Sequence, residues 1–314
     1  LGTHIMLTIR LKVPQRWVFK GIKLSLTKGD SSKGETSQFS ALATSLAATI
    51  GTGNIIGVAA AISLGGPGAV LWCWLTGVFG IATKYAESLL AIKYRVKDEK
   101  GRYHGGAMYA LERGLGWKWM ARLFAVFAAI STFGIVSIPS NAIVALVGDE
   151  FGVPAIVGAI VLCTLVVAVL MGGDKSISKV CAALVPIMAL VYVGGCIALL
   201  CINAEYLWPA IRLIAVSAFN PAAIGGGLAG GGVMLAARYG IARGLYSNES
   251  GLGSSPIVAA TARTPNPVHQ ALISSTSTFW DTVVICAMTG IALVSSILAS
   301  PEIGDAEGLR LTQL

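Results

Sequence analysis

The residues best suited to chemistry stand in two short polar islands within apolar surroundings. The first is GTGNIIG, Gly51 to Gly57, with Thr49 just before it, and the second is SNESG, Ser247 to Gly251. GTGNIIG fits GxGxxG, a spacing that serves a dinucleotide when a strand precedes it, a helix follows, and an acid stands about 20 residues on for the ribose. Here the positions at about that distance read Leu71, Trp72, Cys73, Trp74 and Leu75, and the first acid is Glu87. The nucleotide reading fails. The second island carries no GK[ST] and is no phosphate loop.

What remains for GTGN is a break in an apolar helix, with QFSALATSLAATI as one half and IIGVAAAISL as the other. Irregular backbone at bilayer depth is tolerated only where it is buried in protein or lines a cavity, because lipid cannot satisfy its N–H and C=O groups. Such breaks bind ligands: half-helix N-termini point N–H groups at an anion, and unwound carbonyls hold a cation. Asn54 supplies an amide, and Thr49 and Thr52 supply hydroxyls, at a depth where polar groups are expensive without partners. The competing reading is close helix packing through Gly51, Gly53 and Gly57.

The second island follows GGGLAGGGVMLAARYGIARGLY, with six glycines in 225–232, and precedes GLGSSP. No uninterrupted helix suits this composition, and the chain has to cross the bilayer through it. Glu249 attracts an ammonium group or a cation; an ion pair with Arg243 or Arg238 in an ordinary polar loop is the alternative. Lys84 and Glu87 stand i, i+3 on one helix face, which reads as a local pair with the lysine stem snorkelling toward the surface. Asp281 in FWDT reads equally as a cap, an interfacial ion pair or a transport residue, and Trp72 and Trp74 as interfacial anchors. The six cysteines form no CxxC pair and read as small buried hydrophobes. His4, His104 and His269 are isolated, so no metal site follows.

The elements that must position these islands are membrane helices. Of 314 residues, 55% are hydrophobic and 12% charged, with mean hydropathy +0.75, against about a quarter charged in soluble domains. Apolar stretches of spanning length, roughly 20 residues, recur at 38–64, 69–92, 119–147, 154–171, 180–202, 228–262 with interruptions, and 271–299. No cleavable signal peptide precedes them. Eighteen Lys and Arg residues fall on alternate loops, mainly 1–37 and 93–122, while the opposite loops hold only Arg212 and Arg310 beside Asp149, Glu150, Glu205, Glu302, Asp305 and Glu307. The basic side is cytoplasmic. The +8 net charge is thus loop asymmetry, and nucleic acid is not a partner.

The runs GTGNIIGVAAAISLGGPGAVLWCWLTGVFG and KYAESLLAIKYR, with the later ARGLYSNESGLGSSPIVAATARTPNP and FWDTVVICAMTG, closely resemble the alanine or glycine:cation symporter family, also called sodium:alanine symporters. The resemblance runs from about residue 5 to 300. It implies a multi-pass carrier of a bacterial or archaeal inner membrane, moving a small neutral amino acid (alanine or glycine) inward with Na⁺ or, in some members, H⁺, and using no cofactor beyond the coupling ion. It also implies an all-α, leucine-transporter-like bundle of five-plus-five inverted repeats with broken first and sixth core helices. On that pattern 1–37 is the tail of an extra helix plus a basic segment, 38–202 the first repeat, and 203–314 the start of the second, within one transporter domain truncated at both ends.

By the same resemblance, Thr52, Gly53 and Asn54 would receive the substrate carboxylate. Asn248, Glu249 and Gly251 would face its amino group or gate the site, and carbonyls near Thr49 and Gly51 would hold the cation. The third span carries Pro139, Ser140 and Asn141 where many relatives offer a glutamine, which leaves the substrate open. An intramembrane enzyme lacks the required dyad or HExxH. A non-transporting fragment of such a carrier is the remaining alternative.

Overall fold

The computed structural model describes residues 1–27, 37–219, 232–264 and 266–305. It is an all-α bundle whose strands are confined to a small hairpin, Val96–Lys97 (β1) with Tyr103–His104 (β2). The helices are α1 Gly2–Arg10, α2 Val18–Leu26, α3 Gln38–Thr49, α4 Thr52–Gly65, α5 Ala69–Lys93, α6 Ala107–Leu115, α7 Lys118–Phe151, α8 Ala155–Met171, α9 Gly173–Ile202, α10 Ala204–Ser217, α11 Val233–Asn248, α12 Ser255–Thr261, α13 Pro267–Thr278 and α14 Ala287–Ala299. A π-helical segment, Phe279–Cys286, joins α13 to α14.

Among the described residues, five helical stretches are long and apolar enough to cross a bilayer: Gln38–Gly65, Ala69–Lys93, Lys118–Phe151, Gly173–Ile202 and Pro267–Ala299. The expected span 154–171 appears as the shorter apolar α8. The expected span 228–262 is divided into α11 and α12, and most of its glycine-rich start lies outside the described residues.

Both islands interrupt helices. The first break is short: Ser37 caps α3 by accepting from the Ser40 N–H, and the chain turns extended at Ile50 and Gly51 before α4 begins at Thr52. Asn54 closes the turn, its Oδ1 accepting from the Gly51 N–H at 2.8 Å while its own N–H donates to the Gly51 carbonyl. The Asn54 side chain thus makes its half of a capping box, while the Gly51 carbonyl replaces the side chain that glycine lacks. The second break is wider. Helix α11 ends with Glu249 in the left-handed region at φ 53°, and the turn continues through Gly251 and Gly253 at φ 95° and 80°, where glycine carries no steric cost, before Pro256 opens α12.

Helix α5, at 25 residues, is about 37 Å long and forms the spine against which α1, α11, α13 and the π segment pack. Its contact with α11 depends on Gly240 and Gly244: a Cβ at the first would collide with Ala69 and Trp72, and at the second with Thr76 and Cys73. Small residues four apart allow this close approach in membranes. Helix α13 is buried from Gln270 to Thr278 despite its run of hydroxyls. Ser275, Thr276 and Ser277 satisfy themselves by donating to the carbonyls of Leu272, Ile273 and Ser274.

Helices α7 and α8 form the rim. Phe127, Ile130, Phe133, Ile156 and Ile160 are exposed, as suits helices apolar on every face. The apolar core lies inside, where Val58 and Ile62 of α4 meet Val70 and Cys73 of α5, Ile214 of α10 and Val294 of α14.

Candidate functional site

The two breaks touch. A Cβ at Gly53 would stand 3.5 Å from Ser247 and from the Tyr246 ring, so the start of α4 lies directly against the end of α11. Beside this contact is a cavity of about 400 Å³, walled by Thr49, Gly51, Thr52 and Gly53 from the first break, by Tyr246, Ser247, Glu249 and Leu252 from the second, and by Pro139 and Ser140 of α7.

Its electrostatics follow from helix ends. Thr52 and Gly53 are the first residues of α4, where N–H groups have no intrahelical acceptor and the helix dipole is positive. Thr49 ends α3 and Asn248 ends α11, where free carbonyls and the dipole are negative. The Glu249 carboxylate adds a full negative charge to that side. A ligand carrying both charges can be bound in one orientation: carboxylate toward α4, ammonium toward Glu249.

Thr49, Gly51, Thr52, Gly53 and Glu249 thus share one cavity. Asn54 stands behind it, fully buried. Its Nδ2 donates to the Asp281 carbonyl at 3.0 Å and to Asp281 Oδ1 at 2.7 Å. Asn248 is also buried, with Oδ1 accepting from the Ser250 N–H. Gly251 is not among the residues that wall this cavity, and its N–H lies near Glu87 of α5.

Three readings of individual residues change. Lys84 does not snorkel: it is fully buried, its Nζ has no hydrogen-bond partner, and the charges it feels are Glu87 first and then Glu249 and Asp281. The helix continues through nine more residues beyond Lys84 before it ends at Lys93, so the stem does not reach the surface. Asp281 is neither a cap nor interfacial. It sits fully buried in the π segment, accepting from Asn54, from Ser247 Oγ at 3.0 Å and from Thr282 Oγ1 at 2.6 Å. Glu249 makes no ion pair with Arg243 or Arg238; it accepts from the Ser254 hydroxyl. Trp72 is half-buried, its Nε1 donating to the Ala218 carbonyl.

Asp281 and Ser247 are the components that sequence reasoning undervalued. The signal was present: Asp281 is the lone Asp, Glu, Lys or Arg between Arg263 and Glu302, and an isolated carboxylate in a span is a functional candidate by default. Among the described residues no three of His, Cys, Asp and Glu gather closely enough to hold a metal ion. A hard monovalent cation would therefore be held mainly by carbonyls and hydroxyls.

Five apolar helical stretches of bilayer length among the described residues, with two helix breaks meeting at one polar-walled cavity, suit a multi-pass helical membrane protein. The chain belongs to the sodium:alanine symporter family, whose model matches residues 1–314; it is a transporter-family protein and not an enzyme. It is 48% identical to an uncharacterized transporter of Haemophilus influenzae, over 97% of this chain and 68% of that protein. It is 45% identical to the sodium/alanine symporter AgcS of Methanococcus maripaludis, over 99% of this chain and 70% of that protein. It is also 38% identical to the probable sodium/glutamine symporter GlnT of Bacillus subtilis, over 100% of this chain and 65% of that protein.

Proposed function

We propose that this protein is a secondary transporter of the cell membrane that couples inward movement of Na⁺ to uptake of a small neutral amino acid, alanine or glycine, through a leucine-transporter-like arrangement of inverted repeats. The observation that carries the reading is the cavity shared by the two breaks, with helix N-terminal N–H groups on one side and a carboxylate on the other. An amino acid zwitterion satisfies both sides at once. The cation belongs at the α3 end of the first break, where the carbonyls around Thr49 and Gly51 supply hard oxygen ligands of the kind Na⁺ takes in broken-helix carriers.

Under this reading Asn54 acts behind the site: it holds Gly51 and Asp281 in place, and the carboxylate is received by the N–H groups of Thr52 and Gly53. Asn248 and Gly251 shape and gate the second break. The names of the relatives support Na⁺ as the coupling ion, and AgcS supports alanine over glutamine by its higher identity.

The test is uptake of radiolabelled L-alanine and glycine into sealed proteoliposomes with an inward Na⁺ gradient, an inward H⁺ gradient, or neither, beside a Gly51→Leu variant, whose side chain enters open space at the cavity wall. Na⁺-driven uptake abolished in the variant is the expected result. Uptake driven by H⁺ alone would remove Na⁺ from the reading, and no uptake under any gradient would remove transport of small neutral amino acids by this chain.

A further inference from the structure

A second cavity, of about 360 Å³, lies on the other face of the same break. Glu249 and Leu252 wall the first cavity, whereas Gly253 and Pro256 wall this one, together with Glu87 and Tyr94 of α5 and Ala110 and Leu111 of α6. Its lining is apolar apart from Glu87 and the Tyr94 hydroxyl.

Glu87 lies near the backbone N–H groups of Gly251 and Gly253. Its Oε2 is buried and has no hydrogen-bond partner. The charged groups that act on it are Lys84, one turn earlier on the same helix, and Glu249 from α11. Lys84 does not supply the missing bond, since its own Nζ is unpartnered. The Tyr94 ring already carries the Lys93 ammonium at 5.4 Å, so Glu87 is the anchor this cavity offers to a ligand. Among neutral and charged donors, an ammonium group forms the strongest bond to a carboxylate that lines such a cavity.

We infer that this cavity is a binding site for a small lipophilic primary amine, ammonium on the Glu87 carboxylate and apolar tail between α5, α6 and α12. A zwitterion fits poorly, because no side chain of the lining offers a cation to its carboxylate. The site is therefore distinct from the substrate cavity. Where the transport reading of the previous subsection holds, the bound amine adds a donor to a carboxylate that lies beside Gly251 and Gly253. It thereby stiffens the turn between α11 and α12, and inhibits transport without competing with the amino acid.

The experiment is a binding titration of hexylamine, hexanol and norleucine to the purified protein in nanodiscs, followed by thermal shift, with Glu87→Gln and Ala110→Phe variants. Hexylamine is expected to bind and stabilise, hexanol and norleucine at least tenfold more weakly. Binding should weaken at least tenfold in Glu87→Gln and be lost in Ala110→Phe, which fills the cavity while leaving Glu87 and its glycine neighbours untouched. Should Glu87→Gln fail to fold, Ala110→Phe decides alone. Hexanol binding as tightly as hexylamine, or wild-type hexylamine binding in Ala110→Phe, overturns the site.

In proteoliposomes, hexylamine should lower the maximal rate of alanine uptake and leave KM unchanged; a raised KM with an unchanged maximal rate overturns the placement. Binding is measured without transport, so the two readings fail separately. Hexylamine binding without alanine uptake sinks the transporter assignment alone, and alanine uptake without hexylamine binding sinks the amine site alone.

Discussion

Asn54 Nδ2 lies 2.7 Å from Asp281 Oδ1, across 227 residues of chain. One bond thereby ties the first turn after the first break to the π segment, and Ser247 Oγ, 3.0 Å from the other carboxylate oxygen, ties the second break to the same acid. Removing Asn54 takes one donated bond from a buried carboxylate and one from the Asp281 carbonyl, and leaves the Gly51 N–H without its acceptor. Asn54→Ala and Asp281→Ala should each cost about 1–3 kcal/mol, and the double variant at least 1 kcal/mol less than their sum. The measurement is the unfolding midpoint in detergent for the four proteins of the cycle. Strict additivity would mean that the bond does not couple the two elements.

The α5–α11 contact gives a second prediction. Because a Cβ at Gly244 would collide with Thr76 Oγ1 and lie 2.9 Å from the Cys73 carbonyl, Gly244→Ala should destabilise by about 1–3 kcal/mol through overpacking. Thr76→Ala removes one of the two obstacles. Combined with Gly244→Ala it should restore part of the loss, as read by thermal unfolding. An unaffected Gly244→Ala would show that the helices can separate at no cost.

How much of this was legible in the sequence depends on whether the signal was local. The break at Gly51 was readable because an amide and three glycines in an apolar run violate helical composition, and the second break was readable from SNESG and GLGSSP. The spans were readable from hydropathy, apart from their ends: α9 begins at Gly173, seven residues before the expected 180, because Asp174 and Lys175 are tolerated in a first turn. The partners were not legible. Lys84 and Glu87 looked like a pair because they are near in sequence, yet each is oriented by α11 and its turn, which lie more than 140 residues away. Asp281 looked interfacial because the π segment that carries it inside the bundle leaves no mark in hydropathy. Asn54 was expected to meet a ligand, and its amide instead meets Asp281.

Outside the membrane, the hairpin after α5 gives a pH prediction. Asp98 accepts from His104 Nε2 at 3.1 Å and from the Arg102 N–H at 2.7 Å, and these bonds, His104 first, hold its carboxyl well below the usual carboxylate range. A folded-state value below the unfolded one, about 3.9, stabilises the hairpin fully above that pH, and the contribution shrinks as pH falls beneath it toward the folded value. The hairpin matters to the bundle because Arg95, beside it, donates to the carbonyls of Ala260 and Ala262 at the end of α12. Amide protection of Arg102, corrected for intrinsic exchange, should persist from pH 7 to pH 5 and be reduced at both in Asp98→Asn. Equal protection in the variant would remove Asp98 from any part in holding the hairpin.

Glu249 offers the sharpest test of how the cavity reads its ligand. Its carboxylate lines the cavity while accepting from Ser254, and its backbone sits at φ 53°, so shape and charge can be separated at this position. Gln keeps the acceptor for Ser254 and tolerates the same backbone, and it loses only the charge. Because hydrogen bonds to charged groups contribute about 1.5–3 kcal/mol, Glu249→Gln should raise KM for alanine roughly tenfold to a hundredfold with little change in the unfolding midpoint. The loss should be specific to the ammonium end. In the wild type, L-lactate, which keeps the carboxylate and replaces the amine by a hydroxyl, should be a poor inhibitor of alanine uptake. In Glu249→Gln the gap between lactate and alanine should narrow, because the charge that favoured the ammonium is gone. A variant with wild-type KM and wild-type discrimination would assign Glu249 to holding the turn against Ser254, and the ammonium would have to be received elsewhere in the cavity.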